Sequence, residues 1–131
     1  MIEFSLDRRS GLAPYLQIVQ QVRHALSLGL LGRGDQLPTV KEAVASLAVN
    51  PNTVLKAYRE LEREGLISSR PGVGTFVERD LATIPPQRHA ALRRGLERWV
   101  RSAREAGLDD DAIEALFAST FRESLSEEEI A

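Results

Sequence analysis

At 131 residues the chain has room for one ordinary domain, or for a small domain with an appendage. Apolar residues at 43% and charged residues at 27% suit a folded soluble chain rather than a disordered one, and the lack of cysteine excludes a disulfide framework and a thiolate metal site. The net charge of −2 argues against a nucleic-acid partner until it is resolved along the chain: ten Lys/Arg against eight Asp/Glu leave residues 1–79 at +2, so the remainder carries −4.

Met1-Ile2-Glu3-Phe4-Ser5 lacks the basic segment and apolar core of a signal peptide, and no apolar stretch is long enough to span a bilayer, so a cytoplasmic protein without membrane contact is expected. Residues 14–30 read as a first helix. Pro14 suits its first turn, and Tyr15, Ile18, Val19, Val22, Leu26 and Leu30 fall on one stripe, with Gly32 and Gly34 to stop it. Residues 39–48 read as a short second helix opened by the capping box Thr39-Val40-Lys41-Glu42. The third helix starts at Asn50-Pro51, a preferred cap followed by a residue suited to the first helical position. Val54, Tyr58 and Leu61 form its stripe, and Gly65 is placed to end it. Tyr58 is expected in the core with its hydroxyl at the surface, and Arg59 and Arg63 are expected to pair with the glutamates around them. The few residues around Ala48-Val49-Asn50 are the length of a helix-turn-helix turn.

Two short strands follow, Ile67-Ser68-Ser69 and Thr75-Phe76-Val77, joined by Arg70-Pro71-Gly72-Val73-Gly74. Residues 80–87 read as a linker closed by Pro85-Pro86. Residues 88–106 then form a helix with Leu92, Leu96, Trp99, Val100 and Ala103 on one face, stopped by Gly107. Asp109-Asp110-Asp111 opens a last helix striped by Ile113, Leu116, Phe117 and Phe121. The acids complement the helix dipole without a metal, and Ser126 to Ala131 is expected to fray. His24 and His89 are isolated and read as ordinary surface or packing residues.

The expected fold is therefore mainly α: a winged helix-turn-helix with a small β-hairpin wing over residues 1–79, the linker 80–87, and a short two-helix C-terminal domain over 88–131. A helix about 10–12 Å across fits a major groove about 12 Å wide. The third helix would enter by its N-terminal end, bringing Asn52, Thr53 and Lys56 to base edges or phosphates. Arg70 and Gly72 at the hairpin tip would reach an adjacent groove.

The runs Leu37-Pro38-Thr39, Val49-Asn50-Pro51-Asn52-Thr53-Val54, Lys56-Ala57-Tyr58, Glu64-Gly65-Leu66-Ile67 and Gly72-Val73-Gly74-Thr75-Phe76-Val77, with Tyr15, Gln17 and Gly34-Asp35, resemble the GntR family of bacterial repressors over about residues 6–78. The Asn-Pro-Asn-Thr-Val run before Lys-Ala-Tyr is most similar to the YtrA subfamily. The resemblance implies a homodimeric repressor on a palindromic double-stranded DNA operator. It puts Thr39 where a serine or threonine touches phosphate, and Lys41 where an arginine usually contacts DNA; lysine lacks the planar two-pronged contact of that arginine. Ala43-Val44-Ala45 departs from the commoner Leu-Ala pattern, a packing change.

Two amphipathic helices bury two apolar faces poorly alone, so Leu92, Leu96, Trp99, Leu116, Phe117 and Phe121 are the expected dimer interface. Most relatives carry a larger effector domain; here the region after the linker is short for a pocket of usual size, and a small-molecule effector stays an open partner. No cofactor, metal site or catalytic residue is expected. The chain has no phosphate loop, nucleophile elbow or metal-binding helix motif, and no room for the aminotransferase-like domain of some relatives. The alternative reading is a winged helix used for protein contacts, which the acidic balance favours and the set Asn52, Thr53, Lys56 and Arg70 disfavours.

Overall fold

A computed structural model describes residues 1–130 and divides the chain into two compact units, Met1–Pro86 and a second starting at Gln87. In the first unit, helix α1 (Pro14–Ser27) has proline at its start and seals Ile18, Val19, Val22 and Leu26 completely from solvent. It stops earlier than residue 30. Gly29 takes the left-handed conformation (φ 72°), the Gly29 amide donates to the Leu26 carbonyl, and the Leu30 amide donates back to Ala25 at 2.8 Å. That reversal turns Leu30 out to solvent and gives its expected place in the core to Leu31.

Helix α2 (Val40–Leu47) and helix α3 (Pro51–Arg63) follow the expected caps. Thr39 Oγ1 accepts from the Glu42 amide at 3.1 Å while the Glu42 carboxylate accepts from the Thr39 amide, and Asn50 Oδ1 accepts from the Asn52 amide at 2.8 Å. Three residues separate the two helices, and Ala48, the first of them, holds the left-handed conformation (φ 53°) that glycine more often supplies. The α3 C-terminus closes on Gly65, with the Leu66 amide donating to Leu61, and Leu66 folds into the core as expected. Arg23 Nε donates to Glu64 Oε1 at 3.0 Å, pinning α1 to that end of α3.

The sheet has one strand more than the two legible in the sequence. Strand β1 (Gln36–Leu37) pairs antiparallel with β3 (Gly74–Val77), and β3 with β2 (Ile67–Arg70), in the order β1-β3-β2. A two-residue strand is too short to show alternation, and its signature is the complete burial of Leu37. The wing thus rests on a strand that leads straight into α2 through Pro38 and Thr39. Residues ahead of α1, to which no element was assigned from sequence, also join the core. Phe4 is buried edge-on to Tyr58, and the Gln17 side chain, itself buried, binds the backbone of Asp7 and Leu12.

The second unit holds α4 (Pro86–Glu105) and α5 (Asp110–Ile130). Pro86 is the first residue of α4 rather than part of the linker, a position where its missing N–H costs nothing. The Leu108 amide donates to the Ala103 carbonyl after Gly107, and Asp109 caps α5 by accepting from the Ala112 amide at 2.8 Å. Ala103 and Ile113 are buried beside this turn. Trp99 packs at a tilt on Phe117, and Phe117 stacks on Phe121 with centroids 6.1 Å apart. The expected frayed tail is instead helical through Ile130, while Ala131 lies outside the described residues.

Candidate nucleic-acid interface

The cap that starts α3 decides what α3 can present. Because Asn50 satisfies the Asn52 amide with its own side chain, the Asn52 side chain is left free and exposed at the first turn. Thr53 follows half-buried, and Lys56 stands one turn on, exposed. These three side chains border one shallow depression with Pro14, Tyr15 and Asn50, so the α1 N-terminus forms its second wall. Lys56 Nζ lies 4.1 Å from the centroid of the Tyr15 ring. An aromatic face attracts a cation and limits the arcs a lysine side chain explores. Tyr15, read from the sequence as one more position of an apolar stripe, is therefore the support of the charge next to it.

The second cluster forms at the wing. Thr39, Arg70, Gly72 and Gly74 line one depression together with Ser69 and Thr75, so the cap of α2 and the hairpin tip share a surface. The Arg70 guanidinium sits 4.8 Å from the Phe76 ring centroid and 3.9 Å from Glu78 Oε1. It is anchored from two sides while staying exposed. Gly72 has nothing within 4 Å of the position a Cβ would take, which leaves the tip open to close approach. Gly74 is different: its φ of 144° is one that side chains rarely adopt, and a Cβ there would also meet Nε2 of the exposed Gln36 of β1 at 2.6 Å, displacing that side chain. Lys41 is exposed on α2 and borders neither depression.

Behind this surface, Tyr58 corrects the expectation that its hydroxyl reaches solvent. The side chain is buried and its hydroxyl donates to the Pro38 carbonyl at 2.6 Å, tying α3 to the entrance of α2. Burial, and then the nearby Glu42 carboxylate, push its ionisation well above the ordinary tyrosine range. Arg63 does pair with Glu60 one turn back, and its hydrogen bond holds the Glu60 carboxyl below the usual range. Arg59 has no ion-pair partner among the described residues and is exposed. No cluster of three or more His, Asp or Glu placed to hold a metal occurs among the described residues. No described helix is long and apolar enough to cross a membrane.

Residues 14–77, from the start of α1 to the end of β3, match the model of the bacterial regulatory proteins of the gntR family. The chain is 37% identical over 105 residues to the HTH-type transcriptional repressor YtrA of Bacillus subtilis, a match covering 79% of this chain and 81% of that one. The chain belongs to the GntR family. Among solved structures, a transcriptional antiterminator from Listeria monocytogenes superposes with a TM-score of 0.58 at 31% identity, over 91% of this chain and 90% of that one. YtrA from Sulfolobus acidocaldarius, a GntR-family transcription factor, superposes with a TM-score of 0.52 at 27% identity, over 93% and 97%. At these coverages both matches must extend into the α4–α5 part, so the likeness to the Sulfolobus YtrA is not confined to the winged helix. As a GntR protein the chain is a transcriptional regulator with a DNA-binding winged helix-turn-helix, and not an enzyme.

Proposed function

We propose that this GntR regulator is a cytoplasmic repressor that binds a palindromic operator as a homodimer, reading bases with Asn52 and Thr53 and holding phosphates with Thr39, Lys41, Lys56, Arg70 and the Gly72 backbone. The observation that carries the reading is the free first turn of α3: Asn50 alone caps the helix, so Asn52 is available to a base edge beside the positioned Lys56. The B. subtilis relative named as a repressor supports the direction of control. The exposed apolar residues Leu92, Leu96, Leu116, Phe117 and Phe121 support the dimer, since a monomer gains nothing by showing them to water. Half-buried Trp99 completes the set by packing against Phe117.

A gel shift with the DNA upstream of the protein's own gene, followed by footprinting, tests this. The expected result is a protected site with two half-sites about one helical turn apart. Absence of sequence-selective retention, with capture of a protein partner in its place, would favour the winged helix as a protein-contact module. A promoter fusion that rises when the gene is deleted supports repression, and one that falls identifies an activator.

A further inference from the structure

The charges on the second unit are segregated by helix. Helix α4 carries six arginines against Glu97 and Glu105, whereas α5 carries seven carboxylates against Arg122. At residue level the segregation has a register. Arg93, Leu96, Val100 and Arg104 follow one another at spacings of three and four and line a trough of about 500 Å³, floored by Leu96 and Val100 and walled by three guanidinium groups, those of Arg93, Arg101 and Arg104, against one carboxylate, Glu97. On α5, Glu114, Phe117, Phe121, Leu125 and Glu128 form a ridge at the same spacings, apolar in the middle and acidic at both ends. The trough is about 16 Å long and the ridge about 21 Å, at 1.5 Å per residue. Within one chain they do not satisfy each other: the ridge aromatics and Leu125 stay about half exposed, and the groove stands open.

We infer that the α4 trough of one copy receives the α5 ridge of a second copy, reciprocally, so that dimerisation is a pairing of a basic helix with an acidic one. The inference rests on the homodimer reading above and adds its geometry and its selectivity. Two-fold symmetry permits two arrangements of these faces, α4 on α5 twice, or α4 on α4 with α5 on α5. The second sets arginine against arginine and glutamate against glutamate around a water-excluding core, and like charges juxtaposed at an interface are disfavoured. The first places Glu114 and Glu128 at the two ends of a trough whose ends are Arg93 and Arg104. The partners these arginines hold within the chain do not compete strongly. Arg93 to Glu97 at 3.2 Å and Arg104 to Asp110 at 3.5 Å are solvent-exposed pairs of the kind that contribute little and exchange readily.

Sedimentation of the full chain tests the pairing. One variant reverses the trough (Arg93→Glu with Arg104→Glu), another the ridge (Glu114→Arg with Glu128→Arg). Far-UV circular dichroism checks each fold. The wild type is expected to be a dimer that weakens as salt rises. Each variant alone is expected to dissociate on the order of tenfold more readily at low salt, since four attractive contacts per dimer become repulsive. Mixing the two variants is expected to restore a dimer, because each then offers the helix the other lacks; that recovery also shows that both are folded. A wild-type dimer that is indifferent to either reversal, or that tightens with salt, overturns the inference and leaves the homodimer standing. A wild-type monomer overturns both.

Discussion

A lysine reaches phosphate at a cost set by how much freedom it gives up, and here the surroundings have already restricted two of the three cations. Lys56 rests against Tyr15, and Arg70 lies against Phe76 within reach of Glu78, while Lys41 projects without a described partner. Replacing any phosphate-contacting cation by Ala should flatten the salt dependence of operator binding by about one unit of slope. Tyr15→Leu should lower affinity while leaving that slope intact, because the charge stays and only its support goes. Binding curves at several salt concentrations separate the two effects, and a slope change in Tyr15→Leu would instead mean a phosphate contact by Tyr15. Asn52→Ala should cost about 1–3 kcal/mol on operator and little on random DNA. Tyr58→Phe leaves the buried Pro38 carbonyl without its donor and should destabilise the domain by about 1–3 kcal/mol in denaturant melts. Burial of the same side chain, with Glu42 nearby, gives a pH signature. With its ionisation raised in the fold, Tyr58 favours the folded state fully below the ordinary tyrosine pKa of about 10, and the advantage declines as pH climbs beyond it. Loss of stability above pH about 10 should be shallower in Tyr58→Phe.

At the scale of elements, what was legible in the sequence is what local chemistry decides. Helices α2 and α3 announce themselves through Thr39-Glu42 and Asn50-Pro51, which are instructions between neighbours, and the spacing of Asn52, Thr53 and Lys56 on one face of α3 follows from them. What was not legible depends on distant partners. Strand β1 exists because Gln36 and Leu37 find Phe76 and Thr75 nearly forty residues on, and the early stop of α1 follows from a glycine that sequence alone cannot rank above Gly32 or Gly34. The candidate site divides in the same way: its cations could be named from the sequence, while the Tyr15 and Phe76 supports are tertiary. One local departure is Ala48. A non-glycine residue in the left-handed region pays about 1–2 kcal/mol, so Ala48→Gly should raise the melting temperature. The gain is reduced by the entropy glycine loses on folding, about 0.5–1 kcal/mol. Operator affinity should be unchanged, as Ala48 ends α2 and lines neither depression. A fall in stability would show that the alanine methyl packs against the turn.

For the whole molecule, the winged helix and the two-helix unit must be read together, because one winged helix has a short reach. The base contacts proposed for it involve about one turn of α3, and the candidate site carries only a handful of cations. Joining two such modules converts the second binding event into an intramolecular one, which can add a factor of about 10²–10⁴ without any new contact. Specificity in this protein would then depend on residues far from DNA. Leu96 and Phe121 are suited to test that, since both are exposed, at 47% and 56%, and neither lies in the buried turn around Ala103 and Ile113. Trp99 is less suitable because it packs on Phe117 within the chain. The double variant Leu96→Ala with Phe121→Ala removes apolar surface from both partners in a symmetric dimer, so each loss counts twice. Burial of such side chains contributes about 1.5–3 kcal/mol apiece, and the variant should be largely monomeric at micromolar concentration. Its affinity for an isolated half-site should match that of the wild type, while its affinity for the full operator should fall by more than any single base contact explains. The half-site measurement separates loss of coupling from damage to the DNA-binding domain: a variant that binds half-sites normally and the full operator equally well as a monomer would mean that α4 and α5 serve some purpose other than joining two winged helices.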